Sequence, residues 1–283
     1  MTKNLLLGIA AVCGSTFQAV ACTGISLTSR DGSYVQARTI EWARGVLQSE
    51  YVIIPRGQQL TSFTPTGVNG LTFTAKYGVV GLAVVQKEFI AEGINEAGLS
   101  AGLFFFPHYG GYETYDAAQN QRTLADLQVT EWLLSQFSTI DEVKAALSSV
   151  RVVGLEKTAV VHWRIGEPSG RQVVLEIVGG VPHFYENEVG VLTNAPGFEW
   201  QLTNLNNYVN LHPGDASVQK LSVLRCSRLV ATPVFLVFRV MPRLLRGLYV
   251  LPSIGEQLRN VLQALIPCSN VSTCLIILIF LSV

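Results

Sequence analysis

Cys22 sits directly behind Ala19-Val20-Ala21 and directly ahead of Thr23-Gly24, in the stretch QAVACTGISL. The three residues before it follow the small-x-small pattern of a secretory cleavage site. A cut there leaves Cys22 as residue one, with a thiol and a free α-amine on the same residue. That amine has a reference pKa of about 7.7 to 8.0, so it can accept the thiol proton near neutral pH. One residue then supplies both nucleophile and base. The thiol attacks an amide carbonyl, the amine passes the proton to the leaving nitrogen, and water later cleaves the thioester. The tetrahedral oxyanion still needs a preorganised N–H donor, worth about 3 kcal/mol. A side-chain amide close to the thiol would serve, and the chemistry needs neither a metal nor an organic cofactor.

The segment ahead of Cys22 reads as a leader. Residues 1–21 carry Lys3, an apolar run from Leu5 to Val12, then small and polar residues. The apolar run is far shorter than the roughly 20 residues of a membrane-spanning helix, so it gives no stable membrane span. The expected location is periplasmic or secreted. The competing reading is an uncleaved N-terminal strand or helix packed inside the fold.

The chain has 283 residues, 49% of them hydrophobic and 14% charged, enough to bury a sizeable core. Its zero formal charge hides a split: residues 1–215 hold 13 Lys and Arg against 19 Asp and Glu, and residues 216–283 hold 7 against 1. No basic patch in the first part points to nucleic acid. Of the cysteines, Cys13 belongs to the leader, Cys226, Cys268 and Cys274 to the last part, and Cys22 stands alone in the body. That is no disulfide scaffold, and a leftover thiol in an exported chain reads as reactive.

Strand-like runs must position this thiol. TGISLTSRDGSYVQART holds two of them around the turn Arg30-Asp31-Gly32-Ser33; SEYVIIPRG, LTFTAKYGVVGLAVV and FIAEGINEAGLSAGLFFFP continue the β pattern. The period then changes. Leu124, Leu127, Val129, Trp132, Leu133 and Phe137 recur at helical spacing, and Ser138-Thr139-Ile140-Asp141 caps a second helix through Leu147. Strands return in TAVVHWRIG, RQVVLEIV and VPHFYENEVGVLTN. Two antiparallel blocks flanking a helical pair predict an α+β layered sandwich.

Four motifs, CTGISL at 22–27, ARTIEW at 37–42, INEAGLSAGLFFFP at 94–107 and VLTNAP at 191–196, resemble the choloylglycine hydrolase family, which includes bile salt hydrolases and penicillin V acylases. They run in that family's order, at closely similar spacing, between Cys22 and Ser217. The resemblance implies an N-terminal-nucleophile hydrolase of four αββα layers, acting on a small-molecule linear amide that is not a peptide, and assembling as a homotetramer. It makes Cys22 the nucleophile, Arg38 the arginine beside it, which favours the thiolate and holds the site together, and Asn194 the side chain that helps form the oxyanion hole. Glu41 stands where many relatives have aspartate, one methylene longer, and would meet the α-amine or a bound substrate. Phe104 stands where bile-salt-cleaving relatives often have asparagine. Its side chain cannot donate, although its backbone N–H could. Phe104 and Phe106 are candidates for an acyl pocket, with core packing as the alternative. His162 and His183 show no metal or triad pattern and read as satisfied strand histidines.

The resemblance divides the chain into a leader at 1–21, an incomplete hydrolase domain at 22–217 and an atypical tail at 218–283. After LHPGDAS the family continues with strands and a further arginine. Here leucine, valine, arginine and cysteine rise and acids nearly vanish. The tail reads as out-of-frame translation after a frameshift, and neither Arg228 nor Arg239 takes the missing arginine's place. Such a tail would leave sheet edges unpaired and apolar surface exposed. The expected function is a cysteine amidase acting on conjugated bile salts or penicillin V, with acyl homoserine lactones as a third amide class. Two other readings compete. Ala19-Val20-Ala21-Cys22 is close to a lipobox, which would make Cys22 a lipid anchor, and an exported β-sandwich binding protein would need no catalysis.

Overall fold

The computed structural model describes residues 22–28, 34–41, 47–156, 160–207, 219–221, 224–226 and 274–281. Arg44, the predicted leader, the Arg30–Ser33 turn, and Cys268, Arg228 and Arg239 of the tail lie outside them. The strand-like runs form β1 (Thr23–Thr28), β2 (Tyr34–Glu41), β3 (Ser49–Ile54), β4 (Gln59–Thr61), β5 (Thr72–Thr74), β6 (Val79–Val84), β7 (Ile90–Asn95) and β8 (Ser100–Phe105). After β9 (Thr123–Ala125) come helices α1 (Val129–Gln136) and α2 (Ile140–Ala146). Then follow β10 (Arg151–Val153), β11 (Val161–Gly166), β12 (Gln172–Val178), β13 (Val181–Glu186), β14 (Val191–Thr193) and helix α3 (Phe198–Leu205), and last β15 (Gln219–Leu221), β16 (Leu224–Cys226) and β17 (Cys274–Leu281).

Two antiparallel sheets carry the fold. Among the described residues one has four strands in the order β14-β1-β2-β17, and the other seven in the order β13-β12-β11-β8-β7-β6-β3. Strand period decides what each face of the larger sheet meets. Val161, Trp163 and Ile165 of β11 and Val173, Leu175 and Ile177 of β12 turn to one side, where they pack with Trp132, Leu133, Phe137, Ile140 and Val143 of the helical pair and its connection. The alternate residues face the smaller sheet. There Phe104, Val174, Leu82 and Ala91 meet Cys22, Ile40 and Leu192, with Phe198 closing the cluster. The result is a helical layer over two stacked sheets, the layered α+β sandwich expected of an N-terminal-nucleophile hydrolase.

The helical pair differs in detail from its sequence pattern. Leu124 lies in β9, which pairs parallel with β10, and Leu127 lies in a 3-10 turn, so α1 starts only at Val129. Both leucines still point into the core, which is why their spacing mimics a helix. α2 opens as its cap predicts: Thr139 Oγ1 accepts from Glu142 N–H at 3.2 Å while Glu142 Oε2 accepts from Thr139 N–H at 3.3 Å. The end of α1 is tied to the sheet by Asn95, whose Nδ2 donates to Leu134 O at 2.8 Å and Phe137 O at 2.7 Å.

Among the described residues the tail supplies three strands, the paired β15 and β16 and, in the smaller sheet, β17. β17 pairs antiparallel with β2, from Cys274 opposite Glu41 to Leu281 opposite Tyr34, so the β2 edge expected to be bare is covered. At the other margin, β3 is an edge strand and leaves Tyr51 81% and Ile53 74% exposed beside Val80, an apolar strip on the face where the two sheets otherwise meet.

Asp126 gives the fold a pH dependence. It is fully buried, its Oδ1 accepts from Leu127 N–H at 3.0 Å and Leu155 N–H at 3.2 Å, and its Oδ2 has no partner among the described residues. Burial pushes its carboxyl up to about 7, and Glu131 nearby is raised to about 7 for the same reason. The folded state therefore holds protons that the unfolded chain has lost, and stability falls as pH rises from about 4 to about 7. Asp126→Asn keeps the Oδ1 acceptor and removes the charge. The substitution should be close to neutral at pH 4 and stabilising by about 2 kcal/mol at pH 8, somewhat less than a shift of roughly three units implies because buried sites relax. Urea denaturation at both pH values checks this, and an equal effect at both would contradict it.

Candidate active site

β1 is the strip on which the site is assembled. It pairs with β14 on one side, Thr23 opposite Thr193, and with β2 on the other, Thr23 opposite Thr39. Cys22 immediately precedes the first paired residue of β1, and Asn194 immediately follows the last of β14. Thr23 N–H, at this end, donates to Thr39 Oγ1 at 3.2 Å. Cys22 has a free thiol, buried in the inter-sheet cluster with Phe104 and Leu192. Gly24 is where β1 comes closest to the larger sheet: a Cβ there would lie 2.6 Å from Phe104 Cζ and 2.7 Å from Arg164 Nη1.

Arg38 reaches from β2 across the inter-sheet space. Its Nη1 donates to Ala91 O at 2.9 Å and Leu103 O at 2.7 Å and pairs with Glu92 Oε2 at 3.3 Å, and its guanidinium carbon lies 4.1 Å from the centre of the Phe104 ring. The second oxygen of Glu92 accepts from Arg164 Nη2 at 3.0 Å, and Arg164 Nη1 donates to Ile25 O at 3.2 Å. All three charged side chains are buried. Two guanidiniums thus share one carboxylate beneath the strand that begins beside Cys22, leaving a net positive charge there. Gly102 makes room for this, since any Cβ at that position would fall on the Glu92 carboxylate. Arg38 is a tie between the sheets as well as a buried cation in the space between them.

Asn194 follows β14 directly. Its Oδ1 accepts from Phe105 N–H at 2.9 Å, and Ala195 N–H donates to Phe105 O at 2.8 Å, so the residue is fastened to the end of β8. Because a backbone N–H can only donate, the oxygen end of the amide faces β8 and Nδ2 is the end left to serve an anion. Glu41 closes β2 one residue beyond Ile40 and is partly exposed.

Phe104 and Phe106 have core surroundings. Phe104 is fully buried under Arg38, and Phe106, 1% exposed, is stacked on the His162 ring at 4.4 Å and on Tyr109 at 5.8 Å. The outward residue of the three phenylalanines is Phe105, 44% exposed. An acyl pocket made by the Phe104 and Phe106 rings would require these contacts to open, so core packing accounts for both rings as they stand.

His162 is a satisfied strand histidine, as read from the sequence, but with a partner that the sequence did not show. Its Nε2 lies 2.9 Å from Thr193 O and its Nδ1 3.1 Å from Glu176 Oε1. The carbonyl can only accept, so Nε2 carries the hydrogen of that bond, and Nδ1 is the nitrogen that faces the carboxylate. Glu176 Oε1 also accepts from Phe198 N–H at 2.8 Å. His183 is exposed on β13. Sequence reasoning missed Glu92, Arg164 and Glu176, although each is a lone charge inside an apolar strand run, a placement seldom found without a partner. Among the described residues no group of three or more His, Cys, Asp or Glu could hold a metal ion, and no helix is long and apolar enough to cross a membrane.

Residues 22–230 match the family model of linear amide C–N hydrolases, choloylglycine hydrolase family. The bile salt hydrolase/transferase of Clostridium perfringens is 30% identical over 197 residues, which cover 67% of this chain and 58% of the relative. The conjugated bile acid hydrolase of Lactobacillus acidophilus is 30% identical over 207 residues, 70% of this chain and 63% of the relative. The chain thus spans less than two thirds of the length of these curated relatives. Among solved structures, a conjugated bile acid hydrolase from C. perfringens superposes with a TM-score of 0.64 at 26% identity, covering 85% of this chain and 78% of the other. Penicillin V acylase from Agrobacterium tumefaciens gives 0.58 at 24% identity, with 68% and 58% covered, a likeness of fold.

Proposed function

The chain belongs to the choloylglycine hydrolase family of linear amide C–N hydrolases, and on that premise we propose that it is an exported cysteine amidase whose mature N-terminus is Cys22. The observation that supports this reading is that Cys22 immediately precedes β1 and Asn194 immediately follows β14, the two strands pairing from Thr23 opposite Thr193, while the Asn194 amide is fastened to Phe105 N–H. The family match beginning at Cys22 supports removal of residues 1–21. The Cys22 α-amine takes the thiol proton as sulfur bonds to the amide carbon, and the oxyanion forms against Asn194 Nδ2. The C–N bond then breaks, and the amine returns the proton to the leaving nitrogen. In the second half, water loses a proton to the same amine and cleaves the thioester to a carboxylate and the thiol. The Arg38–Glu92–Arg164 group holds the two sheets together beneath β1, and Glu41 orients the α-amine or the substrate. Conjugated bile acids are the favoured substrates because the two 30% identical relatives are named for them, with penicillin V second.

Intact and N-terminal mass spectrometry of the exported protein, with and without a thiol alkylator, is the first test, followed by glycine- and taurine-conjugated bile acids and penicillin V. A chain starting at an unblocked Cys22 and alkylated once supports the amidase. Lipid on Cys22, or retention of residues 1–21, would overturn it. Asn194→Ala should lower kcat by roughly 10²-fold to 10³-fold, the effect of losing one oxyanion donor, with a much smaller change in KM. Steady-state kinetics would contradict this role if kcat were unchanged.

A further inference from the structure

The buried His162–Glu176 pair is more than a satisfied core contact, because its bonds end on both sides of Asn194. His162 Nε2 donates to Thr193 O at 2.9 Å, the residue immediately before Asn194. Glu176 Oε1 accepts from Phe198 N–H at 2.8 Å, where the loop that follows enters α3. Gly197 lets that loop lie against the carboxylate, since a Cβ there would be 3.3 Å from Glu176 Oε2. Gln201 grips the same loop from α3: its Nε2 donates to Asn194 O at 3.0 Å and to Pro196 O at 2.7 Å. The His162 ring is itself held by stacking on Phe106, two residues beyond Phe104 on the chain segment whose Phe105 N–H binds Asn194 Oδ1. The backbone on both sides of the amide is therefore tied down by His162, Glu176 and Gln201.

We propose that His162, Glu176 and Gln201 are positioning residues that hold loop 193–198 so that Asn194 Nδ2 is presented to the oxyanion. The proposal rests on the amidase reading given above. None of the three touches the reacting atoms. Their effect is on the angle and distance of a donor whose contribution depends on preorganisation, and a misplacement of about 1 Å can cost roughly 10²-fold in rate.

Two isosteric substitutions separate positioning from bulk packing. His162→Gln keeps an N–H donor at the place of Nε2 and so keeps the bond to Thr193 O, whereas His162→Asn keeps a donor only at the place of Nδ1 and loses it. Both remove the ring and its stacking. Kinetics on a conjugated bile acid should show kcat roughly 10²-fold lower for His162→Asn and Glu176→Ala, with KM within about threefold and Cys22 alkylated at the wild-type rate, while His162→Gln stays within about tenfold of wild type. Equal activity of the Asn and Gln variants, or a change confined to KM, would overturn the proposal. Should the core variants not fold, Gln201→Ala, at a partly exposed site, carries the test: a kcat about tenfold lower supports the loop's role and an unchanged kcat refutes it. If the wild-type protein cleaves no amide, the amidase reading fails separately. The loop clamp is then judged by amide hydrogen exchange at Phe105, Ala195 and Phe198, which should be faster in His162→Asn than in His162→Gln, and equal rates would overturn it.

Discussion

Alanine at position 22 is expected to abolish amide hydrolysis while leaving the fold in place. On the amidase proposal the thiol forms the covalent intermediate, so its loss would remove both halves of the reaction. A fall of roughly 10⁴-fold or more follows from the behaviour of other nucleophile deletions. The structural cost is small by comparison. Cys22 lies at the start of β1, and deleting one sulfur from the cluster it shares with Phe104, Leu82 and Leu192 should cost about 1 kcal/mol. Serine is a sharper control, because it keeps a proton for the α-amine to take but lacks the few per cent of anion that a thiol offers near pH 7. Free glycine or taurine released from conjugated bile acids, together with a melting curve for each variant, checks both statements. Turnover by the alanine protein within tenfold of wild type would exclude Cys22 as the nucleophile.

The sequence showed the thiol, the amide and the strands that carry them because each leaves a local mark. Cys22 follows Ala-Val-Ala, Asn194 precedes a proline-containing loop, and β1 and β2 alternate with period two around a turn. The capping box at Thr139 and Glu142 is local for the same reason. What stayed hidden depends on partners far apart in the chain. Glu92 meets Arg38 and Arg164 only because β7, β2 and β11 are brought together by the stacking of two sheets. His162 and Glu176 are cross-strand neighbours on one face, and their role appears only once β14 lies above them. Strand β9 was read as the first turn of a helix, because a short strand followed by a 3-10 turn can bury Leu124 and Leu127 as a helix would. Phe104 and Phe106 leave acyl pocket and core packing both open in the sequence, because period two cannot distinguish a face that meets substrate from one that meets a second sheet.

Glu92→Gln should be the most destabilising single change within the inter-sheet layer, more so than removing either arginine. The three charges are dehydrated together, and among the described residues the Glu92 carboxylate is paired with both Arg38 and Arg164. Neutralising it leaves two buried guanidiniums facing each other across an amide, whose nitrogen can accept a hydrogen bond from neither. Removing one partner of a buried ion pair costs about 3–5 kcal/mol, a large share of the roughly 5–15 kcal/mol that holds a domain folded. Arg164→Met takes the group in the opposite direction, from two cations and one anion to a neutral Arg38–Glu92 pair, and the apolar stem fills much of the guanidinium's space. Its cost should be smaller than that of Glu92→Gln, because the Arg38–Glu92 pair that remains is neutral, although Ile25 O loses its donor. Arg38 falls between them, because its Nη1 also satisfies the carbonyls of Ala91 and Leu103 and its loss would leave both unpaired. Urea unfolding of the three variants gives the ranking directly, and a Glu92→Gln protein as stable as Arg164→Met would show that the charges are hydrated.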